Sequence, residues 1–396
     1  MDDRNSQTNE SRQSASANLW SDAIFADPVG SRSLPTSLVV GVLEGEGIGP
    51  DVIHASLGVL RALERTGRHN FEVSFGGPIG TEAESRYGEP LSDEVVEFCR
   101  SVFSQGGAIL AGPGGGRFVY DLRIRFDLFC KLSPLRVWDE LIDAARIKPG
   151  YIRNVDILLV RENTAGIYQG QWNEISTPGE GRKAAQSFFY TEKQVRRILE
   201  VAARIASQRR GKLTVVLKDG GIPTISGLWR DCAVEVTSEV GVDCSVVNVD
   251  YAVYRLIQDP RELDVVVTPN LFGDILADLG GVLLGSRGVS FSGNFSRGGA
   301  AVYQTNHGAA YDLIGKNRAN PVAQIFSLAM LLRESFGLIR EARLVEDAVA
   351  EVWRQGWRTA DLAEKGCTLV GTKEMGELIT EALIGLNDQD DRIETR

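Results

Sequence analysis

Two carboxylates four residues apart, Asp274 and Asp278, are the first sign of chemistry in this chain. The segment Asn270-Leu-Phe-Gly-Asp-Ile-Leu-Ala-Asp278 reads as a helix, and residues at i and i+4 share one helical face. Just before it, Asp264-Val-Val-Val-Thr268 is a short apolar run of the buried-strand type. The two acids therefore fall where strand ends open onto ligand clefts in α/β proteins. Mg²⁺ or Mn²⁺ takes a few carboxylate oxygens and then coordinates substrate directly, and this spacing supplies them. The same pattern also fits a helical turn whose acids complement the helix dipole, so the pair alone does not choose.

A second concentration of charge has the opposite sign. Between Arg117 and Arg136 there are five basic residues (Arg117, Arg123, Arg125, Lys131, Arg136) against two acids, a local excess of three positive charges in a chain whose formal net charge is −10. A basic pocket for a small anion follows, because guanidinium forks suit carboxylates. The overall negative charge disfavours nucleic acid as a partner.

These side chains need a scaffold, and 396 residues at 43% hydrophobic content exceed the roughly 250–300 at which one core stops growing, so two domains are expected. No apolar run approaches the ~18–20 residues that cross a bilayer, and no charged-then-apolar leader pattern opens the chain; a soluble, cytoplasmic protein with no membrane partner is expected. Five scattered cysteines (Cys99, Cys130, Cys232, Cys244, Cys367) without a C-x-x-C pair argue against disulfides and zinc. The first 36 residues, rich in Ser, Asn, Asp and Gln, read as a disordered tail.

From Ser37 strand and helix alternate: strand Leu38 to Leu43, helix Pro50 to Thr66, strand Phe71 to Phe75, helix Ser92 to Ser104, strand Ala108 to Ala111. A largely parallel sheet is implied. A second series begins near Val155 to Val160 and includes a helix opened by the capping-box pattern Thr191-Glu-Lys-Gln194 and a strand Leu213 to Leu217. Gln169 to Gln186 is polar, Gly-rich and too long for an ordinary turn, which suits an arm toward a partner subunit. Helices follow at Pro321 to Phe336, Ala342 to Trp357 and Lys373 to Leu386, then a charged tail. The loop Gly45-Glu-Gly-Ile-Gly49 spaces its glycines two and two, unlike the two-and-three Rossmann fingerprint; Gly112-Pro-Gly-Gly-Gly116 shows only that backbone approaches something closely.

Taken together, the chain from about residue 37 to 386 resembles the metal-dependent β-decarboxylating dehydrogenases, the isocitrate/isopropylmalate dehydrogenase family. Six ordered motifs carry the resemblance: Glu44-Gly-Glu-Gly-Ile-Gly-Pro50, Leu122-Arg-x-Arg through Leu128-Phe129, Val160-Arg-Glu-Asn-Thr-Ala-Gly-Ile-Tyr168, Lys218, Asn270 to Asp278, and His307-Gly-Ala-Ala-Tyr-Asp312 with Gly315-Lys-Asn-Arg-Ala-Asn-Pro321. It implies an α/β fold of two domains without a Rossmann unit and with a discontinuous first domain. A large NAD-binding domain would comprise 37–128 and 286–386, and a small substrate, metal and dimerisation domain 129–285, with tails at 1–36 and 387–396.

The resemblance also implies roles. The reaction is oxidation of a 2-hydroxy acid carrying a β-carboxylate, a 3-substituted malate, with loss of CO₂ and with Mg²⁺ or Mn²⁺ supporting both steps. Asp274 and Asp278 match the metal ligands, and Asp250, after the strand Ser245 to Val249, the third, which the family supplies from a second subunit. Lys218 matches the lysine that takes the hydroxyl proton, and Tyr168 the tyrosine that protonates the enol carbon. Outside that context Lys218 is an ordinary strand-end lysine and Tyr168 an ordinary core aromatic. Arg123 and Arg161 match two of the clamping arginines; Ser133 stands where a third belongs, leaving Lys131 or Arg136 as substitutes. Gly220 and Gln304 are further departures.

The nucleotide would lie on Gly47, Ile48, His307, Gly308, Asp312 and Asn320; Asp312 favours NAD over NADP, since a carboxylate there repels a 2′-phosphate. The substrate-reading loop Arg117-Phe-Val-Tyr-Asp121 matches neither isocitrate nor isopropylmalate patterns. With Arg117 and Tyr120 at the site, it points to an unusual substrate with a polar or anionic 3-substituent. Isopropylmalate, tartrate or malate turnover, or a non-catalytic regulatory homologue, are the alternatives. The expected partners are a small anionic hydroxy-dicarboxylate and a second copy, as homodimer or dimer of dimers.

Overall fold

A computed structural model describes residues 19–29 and 37–394. Its centre is a ten-stranded sheet. In chain order the strands are β1 (Leu38–Leu43), β2 (Phe71–Phe75), β3 (Ala108–Ala111), β4 (Cys130–Arg136), β5 (Asp156–Glu162), β8 (Lys212–Leu217), β9 (Asp243–Asn248), β10 (Val265–Thr268), β11 (Phe291–Phe295) and β12 (Ala301–Thr305), and β6 (Gln171–Thr177) and β7 (Gly181–Ser187) form a separate hairpin. The spatial order is β2-β1-β3-β12-β11-β4-β5-β10-β8-β9.

Pairing divides the sheet. Strands β2, β1, β3 and β12 run parallel, as do β5, β10, β8 and β9, whereas the β12–β11, β11–β4 and β4–β5 pairs between them are antiparallel. One parallel half thus comes from residues before 112 and after 290, the other from the middle of the chain. Helices cover both, so β1, β3 and β10 are buried throughout and read as continuous apolar runs. The helix Glu192–Ser207 starts with the expected capping box: Thr191 Oγ1 accepts from the Gln194 amide while the Gln194 side chain accepts from the Thr191 amide.

Two expectations change, and a third segment gains a defined form. Part of the anticipated N-terminal tail is packed: Trp20–Ala23 is a 3₁₀ turn, and Leu19, Ala23, Ile24, Phe25 and Val29 are buried in the main core. Its apolar side chains offset the ordering of a segment whose polar neighbours hid it. Residues 1–18 and 30–36 lie outside the described residues. The last helix, Thr372–Glu394, runs past the 387 boundary set for a tail, with Asn387 buried on it. Finally, the stretch Gln169 to Gln186 is a regular ribbon, β6 against β7, with every residue of both strands exposed, including Trp172 and Ile175. No helix among the described residues is long and apolar enough to cross a membrane.

Candidate active site

The end of β5 and the start of the helix Asn270–Leu283 meet at a buried arginine. Arg161 donates through Nε and Nη2 to Asn270 Oδ1 at 2.9 and 2.7 Å, and through Nη1 to Asp274 Oδ1 at 2.5 Å. Asn270 is itself fixed, its Nδ2 donating to the Ala165 carbonyl at 2.8 Å and its amide to the Tyr190 hydroxyl at 3.0 Å. The helix can come this close because residue 273 is glycine: a Cβ there would lie 2.5 Å from Thr268 Oγ1 and 2.8 Å from Arg161 Cβ. Asn270 opened the sequence motif, but its function as the arginine's anchor was not legible from spacing.

Tyr168, after β5, donates its hydroxyl to Asp274 Oδ2 at 2.9 Å. Burial would raise the Asp274 pKa, yet Arg161, Lys131 and the Tyr168 hydroxyl together hold it below its ordinary value. Tyr168 moves the other way: burial, then the Asp274 charge and hydrogen bond, keep its phenol protonated far above neutral pH. A protonated phenol beside an ionised carboxylate is a proton donor in waiting.

Arg123, on the helix Phe118–Arg125, and Lys131, on β4, line the same cleft of about 150 Å³ with Asp274, Tyr120, Gln304 and His307. Both cations are buried, 5% exposed. Ser133 does not line the cleft itself; its hydroxyl lies 3.4 Å from Oδ1 of Asn306, which does. Arg136, at the far end of β4, stacks on Trp138 at 4.6 Å and lines a different cavity, so of the two possible substitutes only Lys131 reaches the site.

Asp278 lies one turn beyond Asp274 and pairs with Arg287 at 3.0 Å. Both carboxylates are about half exposed, Asp274 on the cleft and Asp278 one helical turn away, and hard oxygen donors of this kind suit Mg²⁺ or Mn²⁺. Asp250 opens the helix Val249–Gln258 and accepts from Lys218 Nζ at 2.7 Å. Within one chain it does not join the other two: among the described residues no three His, Cys, Asp or Glu side chains form a metal-binding group.

At the loops expected to carry the nucleotide, Gly47 has φ 62°, and a Cβ on it would sit 2.0 Å from the Ala309 carbonyl, to which the Ile48 amide donates at 3.0 Å. The first loop and the His307-Gly308 loop are thereby locked together. Glu46 extends the lock, accepting from the amides of Thr81 and Gly115 at 2.9 Å each and from the Tyr311 hydroxyl at 3.1 Å. Burial opposes its ionisation, but these donors prevail and lower its pKa. His307 Nδ1 lies 3.0 Å from the Gly308 carbonyl, and burial lowers its pKa, so it is neutral. Asp312 is exposed on the turn Tyr311–Leu313. Asn320 is not presented as expected: its side chain is buried and committed to Asp361 at 3.1 Å and the Val322 amide at 3.0 Å.

Arg117 is not a free cation either. It pairs with Asp121 at 3.1 Å, donates to the Tyr168 carbonyl at 3.2 Å, and lies 5.2 and 5.1 Å from the Tyr120 and Trp172 rings. Val119 and Tyr120 line the cleft instead; Arg117 does not.

A family profile described as isocitrate/isopropylmalate dehydrogenase matches residues 39–379. The 3-isopropylmalate dehydrogenase of Carboxydothermus hydrogenoformans is 39% identical over 370 residues, 89% of this chain and 97% of that protein. The enzyme of the same name from Bacillus subtilis is 39% identical over 340 residues, 82% of this chain and 91% of that protein. The crystal structure of isocitrate dehydrogenase from Methylococcus capsulatus superposes with a TM-score of 0.78 at 31% identity, covering 88% of this chain and 99% of that one. The lock of loops around Glu46, the Arg161–Asp274–Tyr168 cluster and these matches lead to one conclusion: the chain belongs to the isocitrate/isopropylmalate dehydrogenase family and is a decarboxylating dehydrogenase.

Proposed function

We propose that this enzyme oxidises and decarboxylates 3-isopropylmalate with NAD and Mg²⁺ or Mn²⁺, in a site completed by a second copy of the chain. One observation carries the choice of substrate. The loop that faces the 3-substituent offers Val119 and the Tyr120 ring to the cleft, while the Arg117 charge is held by Asp121 and the Tyr168 carbonyl. The anionic 3-substituent expected from the sequence is given up, since it relied on Arg117 being free, and the relatives named above are 3-isopropylmalate dehydrogenases.

Asp274 and Asp278 would hold the divalent ion, with Asp250 of a second copy. Bound there, it supplies Lewis acidity toward the substrate hydroxyl and the enolate. Lys218 of that second copy takes the hydroxyl proton, and NAD, held by the Gly47 and His307 loops, would supply the acceptor for the C2 hydride. Loss of CO₂ from the β-carboxylate then leaves an enolate, and Tyr168 delivers a proton to its C3. Arg123 and Arg161 hold the carboxylates in the geometry that this sequence needs. Asp312 selects NAD by repelling a 2′-phosphate. The exposed β6–β7 ribbon is the arm that engages the second copy, and localisation is cytoplasmic.

The deciding experiment follows NADH absorbance with Mn²⁺ across isopropylmalate, isocitrate, tartrate, malate and phosphonomethylmalate. An alkyl pocket should favour isopropylmalate over malate in kcat/KM by about 10²-fold. Preference for a carboxylate- or phosphonate-bearing substrate would overturn the assignment.

A further inference from the structure

The cleft holds more positive charge than its own residues neutralise. Lys131 on β4 stands directly opposite Arg161 on β5 in the antiparallel register, so both side chains project from the same face of the sheet. Like charges in that position repel, more strongly when buried. Arg161 is matched by Asp274, but no hydrogen bond or ion pair ties the Lys131 ammonium to any described residue, and Arg123 Nε is also buried without a partner. Two positive charges are therefore left over, facing a cavity. Burial and then the Arg123 and Arg161 charges lower the Lys131 pKa, opposed by the charges of Asp274 and Asp278, neither of which hydrogen-bonds the ammonium.

We infer that Lys131 is a substrate-binding residue of this enzyme, closing with Arg123 and Arg161 a three-cation clamp whose missing counterions are the two carboxylates of a malate skeleton. The inference rests on the dicarboxylate reading of the cleft but not on the identity of the 3-substituent. A lone buried ammonium is costly, and an anion that bonds it recovers that cost only on binding. Lys131 thereby becomes selective for dianions over monoanions of the same shape.

The test is calorimetric titration of malate, with Mn²⁺ present, into wild type, Lys131→Met and Lys131→Arg, with NADH affinity measured by fluorescence as a check on the fold. Lys131→Met should weaken malate about 10- to 100-fold and reduce the preference for malate over 2-hydroxybutyrate by a similar factor. NADH affinity should stay constant, and Lys131→Arg should recover part of the loss. Unchanged malate affinity in Lys131→Met overturns the inference, as does a parallel loss of NADH binding in that variant. If wild type binds malate through Lys131 but does not turn over isopropylmalate, the substrate assignment fails and the clamp stands.

Discussion

Lys218 Nζ lies 2.7 Å from Asp250 Oδ1, and this pair sits at the ends of β8 and the edge strand β9 rather than with the carboxylates of its own chain. The Lys218 hydrogen bond lowers the Asp250 pKa, so Asp250 is presented as a carboxylate.

If the pair completes the site of a second copy, Lys218→Ala and Tyr168→Phe should each be inactive alone. Co-expressed, they should recover about a quarter of wild-type activity, since half of randomly paired dimers are hybrids with one intact site. A fully active monomer in sedimentation would refute the shared site.

Tyr168→Phe removes the donor to Asp274 Oδ2 but leaves Arg161 in place. We expect kcat to fall by about 10²–10⁴-fold with a much smaller change in KM, the pattern of a lost proton donor. Stopped-flow absorbance would check it; a rise in KM at constant kcat would assign Tyr168 to binding alone.

Glu334 is buried beneath the N-terminal segment and accepts from the Ser21 amide at 2.9 Å, and burial raises its pKa to about 7. Its folded pKa lies above the unfolded value of about 4.3, so its contribution is complete below that pH and is lost as pH rises through about 7. Urea midpoints should therefore fall between pH 5 and pH 8, by an amount corresponding to about 2–4 kcal/mol. Glu334→Gln should flatten that slope and be the more stable protein at pH 8. An unchanged slope would show that the carboxyl is solvated.

Where apolar runs are unbroken, as in β1, β3 and β10, the sequence announces the strand. The antiparallel centre was less legible. In β4, Lys131, Ser133 and Pro134 interrupt the pattern, and in β11 Ser292, Gly293 and Asn294 do the same; these positions are buried by neighbouring strands rather than by their own hydrophobicity. The candidate site divides similarly. Asp274, Tyr168 and Arg161 were legible through their motifs, whereas the anchoring by Asn270 and Glu46 depends on loops brought together from distant parts of the chain. That Arg117 would be neutralised by Asp121, four residues on in the same helical turn, was open to inference from i,i+4 pairing.

The antiparallel centre has a mechanical consequence. The two parallel halves are joined through the sheet at β11 and β4, which share three residue pairs, one of them Asn294 with Lys131. Any rotation of one half against the other must therefore be absorbed as a change of strand twist at that seam, not as the swing of a free linker. Of the residues paired across that seam, Lys131 also lines the cleft. A ligand held at Lys131 would therefore bear directly on the strand pair that joins the two halves.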